Sequence, residues 1–107
     1  ELWRTPAGSC ATLLVGSDPP NPLELWDWRV APGEAHDSEG HQAGTRELLT
    51  VVDGVLTLTV GGERHRVEVG DGVLFDGGRP HRYANDGPAP LRFTLAVHAP
   101  VPSPGTP

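Results

Sequence analysis

Glu47-Leu-Leu-Thr-Val-Val-Asp-Gly54 and, after a spacer of 15 residues, Gly70-Asp-Gly-Val-Leu-Phe-Asp-Gly-Gly-Arg-Pro-His81-Arg-Tyr-Ala-Asn85 are the stretches that decide how this chain folds. The first is the end of an apolar strand, Thr45–Val52, running into Asp53-Gly54. That pair predicts a hairpin, because a type I′ turn needs positive φ and Asp-Gly supplies it at little steric cost. In the second, Gly70-Asp-Gly72 turns the chain into the short apolar run Val73-Leu-Phe75, and the loop Asp76–Pro80 then delivers His81.

Between the two stretches, Val55–Val60 places Leu56, Leu58 and Val60 on one face and Val55, Thr57 and Thr59 on the other, as a half-buried strand requires. Gly61-Gly62 makes the next hairpin. Arg64–Val69 follows, with Arg64, Arg66 and Glu68 reading as a solvated face and His65 as a structural histidine beside Val67 and Val69.

Upstream, Ala11–Val15 reads as a first strand and the proline-rich Gly16–Pro22 as a loop that cannot hydrogen-bond regularly. Leu23–Val30 alternates, with Leu23, Leu25, Asp27 and Arg29 opposite Glu24, Trp26, Trp28 and Val30. Ala31–Gly44 is polar and reads as a loop holding His36 and His41. Downstream, Leu91–His98 is the last strand, with Leu91, Phe93, Leu95 and Val97 on one face. Residues 99–107, rich in Pro, are expected to be a disordered tail on a single domain covering residues 1–98.

About eight short strands with glycine or proline turns between them, and no helical period, predict an all-β sandwich or barrel. A chain of 107 residues has room for one such core. The net charge is −6 and the eight basic residues, all Arg, are scattered, so these residues are not expected to contact nucleic acid directly. The single cysteine, Cys10, rules out an internal disulfide and reads as a small apolar residue in a reducing compartment. No apolar run reaches the ~20 residues that span a bilayer and no signal pattern opens the chain, so a cytoplasmic location is expected. With no Met and a start at Glu1, the chain is expected either to be cut from something longer or to have had its start trimmed.

His41, Glu47 and His81 are the candidate chemistry. Two imidazoles and a carboxylate with open positions left over suit Fe(II), Mn(II), Ni(II) or Zn(II). The alternative is that Glu47 and His81 simply hydrogen-bond each other inside the barrel, since a buried charge needs a partner.

The glycine order resembles the cupin family. Its first motif ends in Glu, six residues and Gly, as in Glu47 to Gly54; its second is Gly, five residues, Pro-x-Gly-x-x-His, three residues and Asn, as in Gly70 to Asn85 with Asp76 in place of Pro. The resemblance covers about residues 23–98 and implies a double-stranded β-helix, or jelly-roll barrel, of about eight or more short antiparallel strands. It also implies a metal site of His-x-His, Glu and a later His; His41, Glu47 and His81 match, while Ala43 stands where the second His belongs.

Among cupins, Trp26–Glu34 followed by His41-Gln-Ala-Gly-Thr-Arg-Glu-Leu-Leu-Thr-Val-Val52 resembles the sensor domain that follows a helix-turn-helix domain in XRE-type bacterial transcriptional regulators. The resemblance implies an effector-binding, homodimerising domain whose DNA-binding part lies outside this chain, with no membrane partner and either no cofactor or a divalent metal. His41, Glu47, His81, Trp28, Tyr83 and Phe93 are the expected effector-contacting residues. The other function to weigh is a small metal-dependent dioxygenase or isomerase, with the same two histidines and glutamate as ligands and no further catalytic residue assigned; a purely structural barrel is the third.

Overall fold

The computed structural model of the chain describes residues 2–18 and 22–100, and the described residues contain strands and no helix. In chain order the strands are β1 (Trp3–Arg4), β2 (Cys10–Gly16), β3 (Leu23–Val30), β4 (Ala35–Ser38), β5 (Arg46–Asp53), β6 (Val55–Val60), β7 (Glu63–Glu68), β8 (Gly72–Asp76), β9 (His81–Ala84) and β10 (Leu91–His98). They form a six-stranded sheet in the order β1-β2-β3-β10-β5-β8 and a four-stranded sheet in the order β4-β9-β6-β7, with antiparallel pairing throughout both.

Alternation along each strand decides what lies between the sheets. Leu91, Phe93, Leu95 and Val97 of β10 point inward with Leu49 and Val51 of β5 and Trp28 and Val30 of β3, and they meet Leu56, Leu58 and Val60 of β6, all of them buried. Each such side chain contributes about 1.5–3 kcal/mol by leaving water. Asn85 fastens the end of β9 to this core. Its side-chain NH2 donates to the carbonyls of Val30 and Ala89, each at 2.9 Å, and its Oδ1 accepts from Gly87 N at 3.1 Å. The last residue of the second glycine motif is therefore a structural clamp.

Three strands were not expected. β1 is two residues long, β4 lies in a stretch that the sequence reads as a loop, and β9 in one for which the sequence predicts no element. The segment Ala35-His-Asp-Ser38 has neither β-branched residues nor an apolar alternation; it is a strand because β9 pairs with it, and Arg82 of β9 bonds Asp37 of β4 at 2.8 Å.

Asp53-Gly54 is not a hairpin. β5 pairs with β10 and β8, whereas β6 pairs with β7 and β9, so the chain crosses at Gly54 from one sheet to the other. Gly54 has φ +79°, and a Cβ there would stand 2.5 Å from the carbonyl oxygen of Pro90. Gly61-Gly62 does make its hairpin, joining β6 to β7 with both glycines at positive φ.

His65 departs from expectation as well. It lies on the edge strand β7 with half its side chain exposed and Nε2 3.7 Å from Glu63, and Val69 is exposed too, leaving Val67 as the buried member of that face. Of the tail expected at residues 99–107, residues 101–107 lie outside the described residues.

Candidate functional site

Glu47 projects from β5 into the space between the sheets and is fully buried. Across that space, His81 and Tyr83 stand two residues apart on β9 and so share its inner face. The Tyr83 hydroxyl donates a short hydrogen bond to Glu47 Oε1. His81 Nε2 lies 3.2 Å from the other carboxylate oxygen, Oε2.

His41 arrives from the loop between β4 and β5. That loop is tied to the β8–β9 turn by His41 N donating to Gly77 O at 2.9 Å and by Gly77 N donating to Thr45 O at 2.8 Å. The result is a His41 Nε2 that stands 3.5 Å from Glu47 Oε2, with half its side chain exposed at the mouth of the site. Gly77 passes so close that a Cβ would lie 2.5 Å from Glu47 Oε2. Asp76, where the cupin motif has Pro, shapes the same turn by accepting a hydrogen bond from Gly78 N at 2.9 Å.

The proton inventory here is informative. Nδ1 of His81 is 2.8 Å from the carbonyl oxygen of Arg79, an acceptor only, so Nδ1 carries a hydrogen. In the neutral ring Nε2 then presents a lone pair to Glu47 Oε2. Oε2 itself is buried and has no hydrogen-bond partner among the described residues. A carboxylate oxygen facing two imidazole nitrogens across such distances calls for a proton or a cation between them. The three ligand atoms lie within 4.8 Å of one another, and two N donors with one O donor suit a divalent transition metal. The residues present therefore fit such an ion. Ala43, exposed on the loop, offers no donor.

His36 does not replace it. It stands on β4 opposite Tyr83, with its ring edge-on to Trp3 and Trp28 at 5.0 Å from each, and it is not one of the three clustered ligands. Burial pushes its pKa below 6.5, with Asp37 opposing and the charge of His81 adding to the fall. Burial, then the charge of Glu47 and the hydrogen bond to it, push the Tyr83 phenol well above 10.0.

These groups form the polar end of a cavity of about 400 Å³ between the sheets. Its apolar side is made by Leu2, Trp26, Trp28, Leu95 and Val97. Four buried polar atoms have no hydrogen-bond partner among the described residues, and all four belong to residues that line this cavity: Trp28 Nε1, His36 Nδ1, Thr45 Oγ1 and Glu47 Oε2.

Of the residues expected to contact an effector, His41, Glu47, His81, Trp28 and Tyr83 are brought together on the cavity wall. Phe93 is not part of that wall; it is fully buried, stacked on Trp28 at 5.7 Å and tilted against Tyr83 at 5.1 Å. Trp26, His36 and Thr45 line the cavity and were not singled out as contacts. Alternation already put Trp26 on the face of Trp28; nothing local marks Thr45.

Two antiparallel sheets that enclose a cavity with a His-Glu-His end define a jelly-roll β-barrel. The sequence profile described as the cupin domain matches residues 26–98, and the chain belongs to that family. It is 34% identical over 89 residues to the HTH-type transcriptional regulator SutR of Escherichia coli (strain K12), an alignment that takes in 83% of this chain and 50% of that protein. The chain thus spans about half the length of that relative. Among solved structures, the cupin domain of an XRE family transcriptional regulator from Enterobacter cloacae superposes with a TM-score of 0.80 at 29% identity, covering 86% of this chain and 97% of that one. An HTH_3 family transcriptional regulator from Vibrio cholerae shares the fold, with a TM-score of 0.68 at 23% identity over 73% of this chain and 43% of that one. The chain is thus a cupin domain related to those of helix-turn-helix transcriptional regulators.

Proposed function

We propose that this chain is the effector-binding and dimerising domain of a bacterial transcriptional regulator. The observation that carries the reading is that the four buried polar atoms without a hydrogen-bond partner among the described residues all belong to residues lining one aromatic-walled cavity. Leaving such atoms unpaired costs about 1–3 kcal/mol each, which is hard to account for in a purely structural barrel and is recovered when a ligand satisfies them. The effector then has an apolar body against Trp26 and Trp28 and a polar end towards Thr45, Glu47 and His81. His41, Glu47 and His81 would hold a divalent ion, which supplies positive charge and open positions for an oxygen of the effector. Occupation changes DNA affinity in the parent protein only so far as the effector prefers one of two arrangements of the dimer.

Native mass spectrometry of the chain purified under non-denaturing conditions tests this. The expected result is a bound small molecule or ion, reduced at least tenfold in occupancy by Thr45→Val, which keeps the shape of the side chain and removes its unpaired hydroxyl. Since that hydroxyl has no partner among the described residues, the variant is expected to be as stable as the parent or more so. A chain that carries nothing and whose melting temperature is moved by neither divalent ions nor a panel of small metabolites defeats the proposal.

A small metal-dependent enzyme, a dioxygenase or isomerase, is the second reading, favoured by the three clustered ligands. Conversion of a bound small molecule by the metal-loaded chain, abolished by His81→Ala, would decide for it.

A further inference from the structure

The outer face of the six-stranded sheet carries an apolar row that the barrel does not use. Leu74 of β8 is the cross-strand partner of Leu48 on β5, Leu48 of Ala96 on β10, Ala96 of Leu25 on β3, and Leu25 of Val15 on β2. Directly opposed residues share a face, so the five side chains form one unbroken line across five strands. Leu74 is 52% exposed, Leu48 50%, Leu25 36% and Val15 60%. The neighbouring rows are mostly polar, with Thr50, Thr94 and Asp27 on one side and Asp76, Arg46 and His98 on the other, the latter ending in the exposed Leu23 of β3. A solvated antiparallel sheet ordinarily turns polar residues outward, and an apolar band rimmed by polar rows marks an interaction surface.

Three features select the occupant. The first is charge. The chain carries −6, yet on the outer face of β3, β10, β5 and β8 Arg29, Arg46 and Arg92 balance Asp27, Asp53 and Asp76. Arg29 and Arg92 are bonded to Asp27, at 3.1 and 2.8 Å. Two copies that repel elsewhere meet no net charge here.

The second is area. Five strands about 4.8 Å apart, about 17 Å long for β8 and about 23–26 Å for the others, present about 570 Å² per copy, or about 1,100 Å² for a pair, close to the lower end of specific interfaces. The third is symmetry. Leu, Leu, Ala, Leu and Val read almost alike by size from either end, with the small Ala96 at the centre. A two-fold axis through Ala96, parallel to the strands, sets Leu48 of one copy on Leu25 of the other and Leu74 on Val15, as an isologous contact requires.

We infer that the Leu74–Leu48–Ala96–Leu25–Val15 row is the surface on which two copies of this chain pack face to face as a two-fold dimer. The inference rests on the proposed function only in naming the surface of its dimer, and it is independent of the effector cavity, which lies on the opposite face of the same sheet.

Sedimentation equilibrium of the chain at about 100 μM, where an interface of this size is populated, is the test. The chain is expected to be dimeric. Leu48→Lys and Leu25→Lys are each expected to raise the dissociation constant at least tenfold, and since both make the net charge less negative, added repulsion between copies does not explain the loss. Thr59→Asp, on the other sheet between Arg64 and Arg82, is expected to leave the dimer intact. Circular dichroism monitors folding; should a lysine variant fail to fold, Leu48→Thr and Leu25→Thr, which suit a strand, carry the same expectation. A dimer that survives these substitutions overturns the surface and leaves the dimer of the proposed function standing. A chain that stays monomeric overturns both, hands the row to a different partner such as another part of a longer polypeptide, and leaves effector binding untouched.

Discussion

His81 Nε2 lies 3.2 Å from Glu47 Oε2 while the second nitrogen of the same ring, Nδ1, is 2.8 Å from the carbonyl oxygen of Arg79. The ring is thus oriented by the backbone on one side and presented to the carboxylate on the other, the arrangement by which an outer partner fixes the tautomer of a metal-binding histidine. With His41 Nε2 at 3.5 Å, the carboxylate oxygen faces two nitrogens and no hydrogen-bond donor among the described residues.

Glu47→Gln separates a metal site from an internal hydrogen bond. The amide keeps the shape and can donate to His81 Nε2, so the ion-free variant should melt at or above the temperature of the parent. A divalent ion at a hundredfold excess over its dissociation constant should stabilise the chelator-treated parent by about 2.7 kcal/mol. The variant should lose most of that gain. Thermal unfolding with and without Zn(II), Ni(II) or Mn(II) measures both, and an undiminished gain in Glu47→Gln would show that the ion binds elsewhere.

Tyr83 is the single tyrosine of the chain, so its titration can be read without interference. Burial and the Glu47 carboxylate raise its folded pKa well above 10.0. A group raised on folding contributes stability that is full below its unfolded value and is lost as pH climbs through the folded one. No phenolate absorbance should therefore appear near pH 10 while the chain is folded, and it should rise together with unfolding at higher pH. Ordinary titration of a folded chain near pH 10 would contradict the buried Tyr83–Glu47 bond.

How much of this was legible depended on whether a feature is local. The strands Leu23–Val30, Val55–Val60 and Leu91–His98 show period-two alternation, and the structure places strands over the same residues, with Asp27 buried against the alternation of the first. Glu47, His81 and Gly54 were found through the spacing of a family motif. Asp53-Gly54 misled as a turn, because dipeptide chemistry reports positive φ and says nothing of whether the next strand returns to the same sheet. β4 and β9 were unreadable for a related reason: their pairing joins residues 35–38 to 81–84, and neither segment has an apolar period of its own. His36 reaches the cavity through that long-range pairing, and Thr45 is held there by the hydrogen bond from Gly77 N to its carbonyl, so no window of sequence contained the information. Phe93 shares its inward face with Leu95, which does line the cavity; depth along a strand, unlike face, is not encoded in alternation.

Asp27 should make the chain acid-sensitive in a defined window. Burial raises its carboxyl, but hydrogen bonds and charge from Arg92 and Arg29 outweigh that and hold its pKa below the ordinary 3.8. A lowered carboxylate contributes stability that is full above its unfolded value and is lost as pH falls through the folded one. The partners are half exposed, so Asp27→Asn should cost only about 1 kcal/mol above about pH 5. The difference from the parent should close as the pH drops below 3.8. Urea unfolding across that range gives the curve, and a gap that widens on acidification would reverse the assigned sign.

Gly54→Ala tests why a glycine stands at the crossing between the sheets. Two costs fall on the same atom. At φ +79° an L-residue carries the left-handed penalty of about 1–2 kcal/mol, and the new Cβ meets the Pro90 carbonyl oxygen at 2.5 Å and Leu91 Cα at 3.0 Å. Both obstacles are backbone, so neither can swing away as a side chain end would. Gly62, at φ +92° with nothing within 4 Å of a Cβ, is the control: Gly62→Ala should carry the conformational penalty alone. Gly54→Ala should therefore be the more destabilising of the two, by about 1 kcal/mol or more in chemical denaturation. Equal losses would mean that the crossing needs glycine for its φ and that Pro90 gives way.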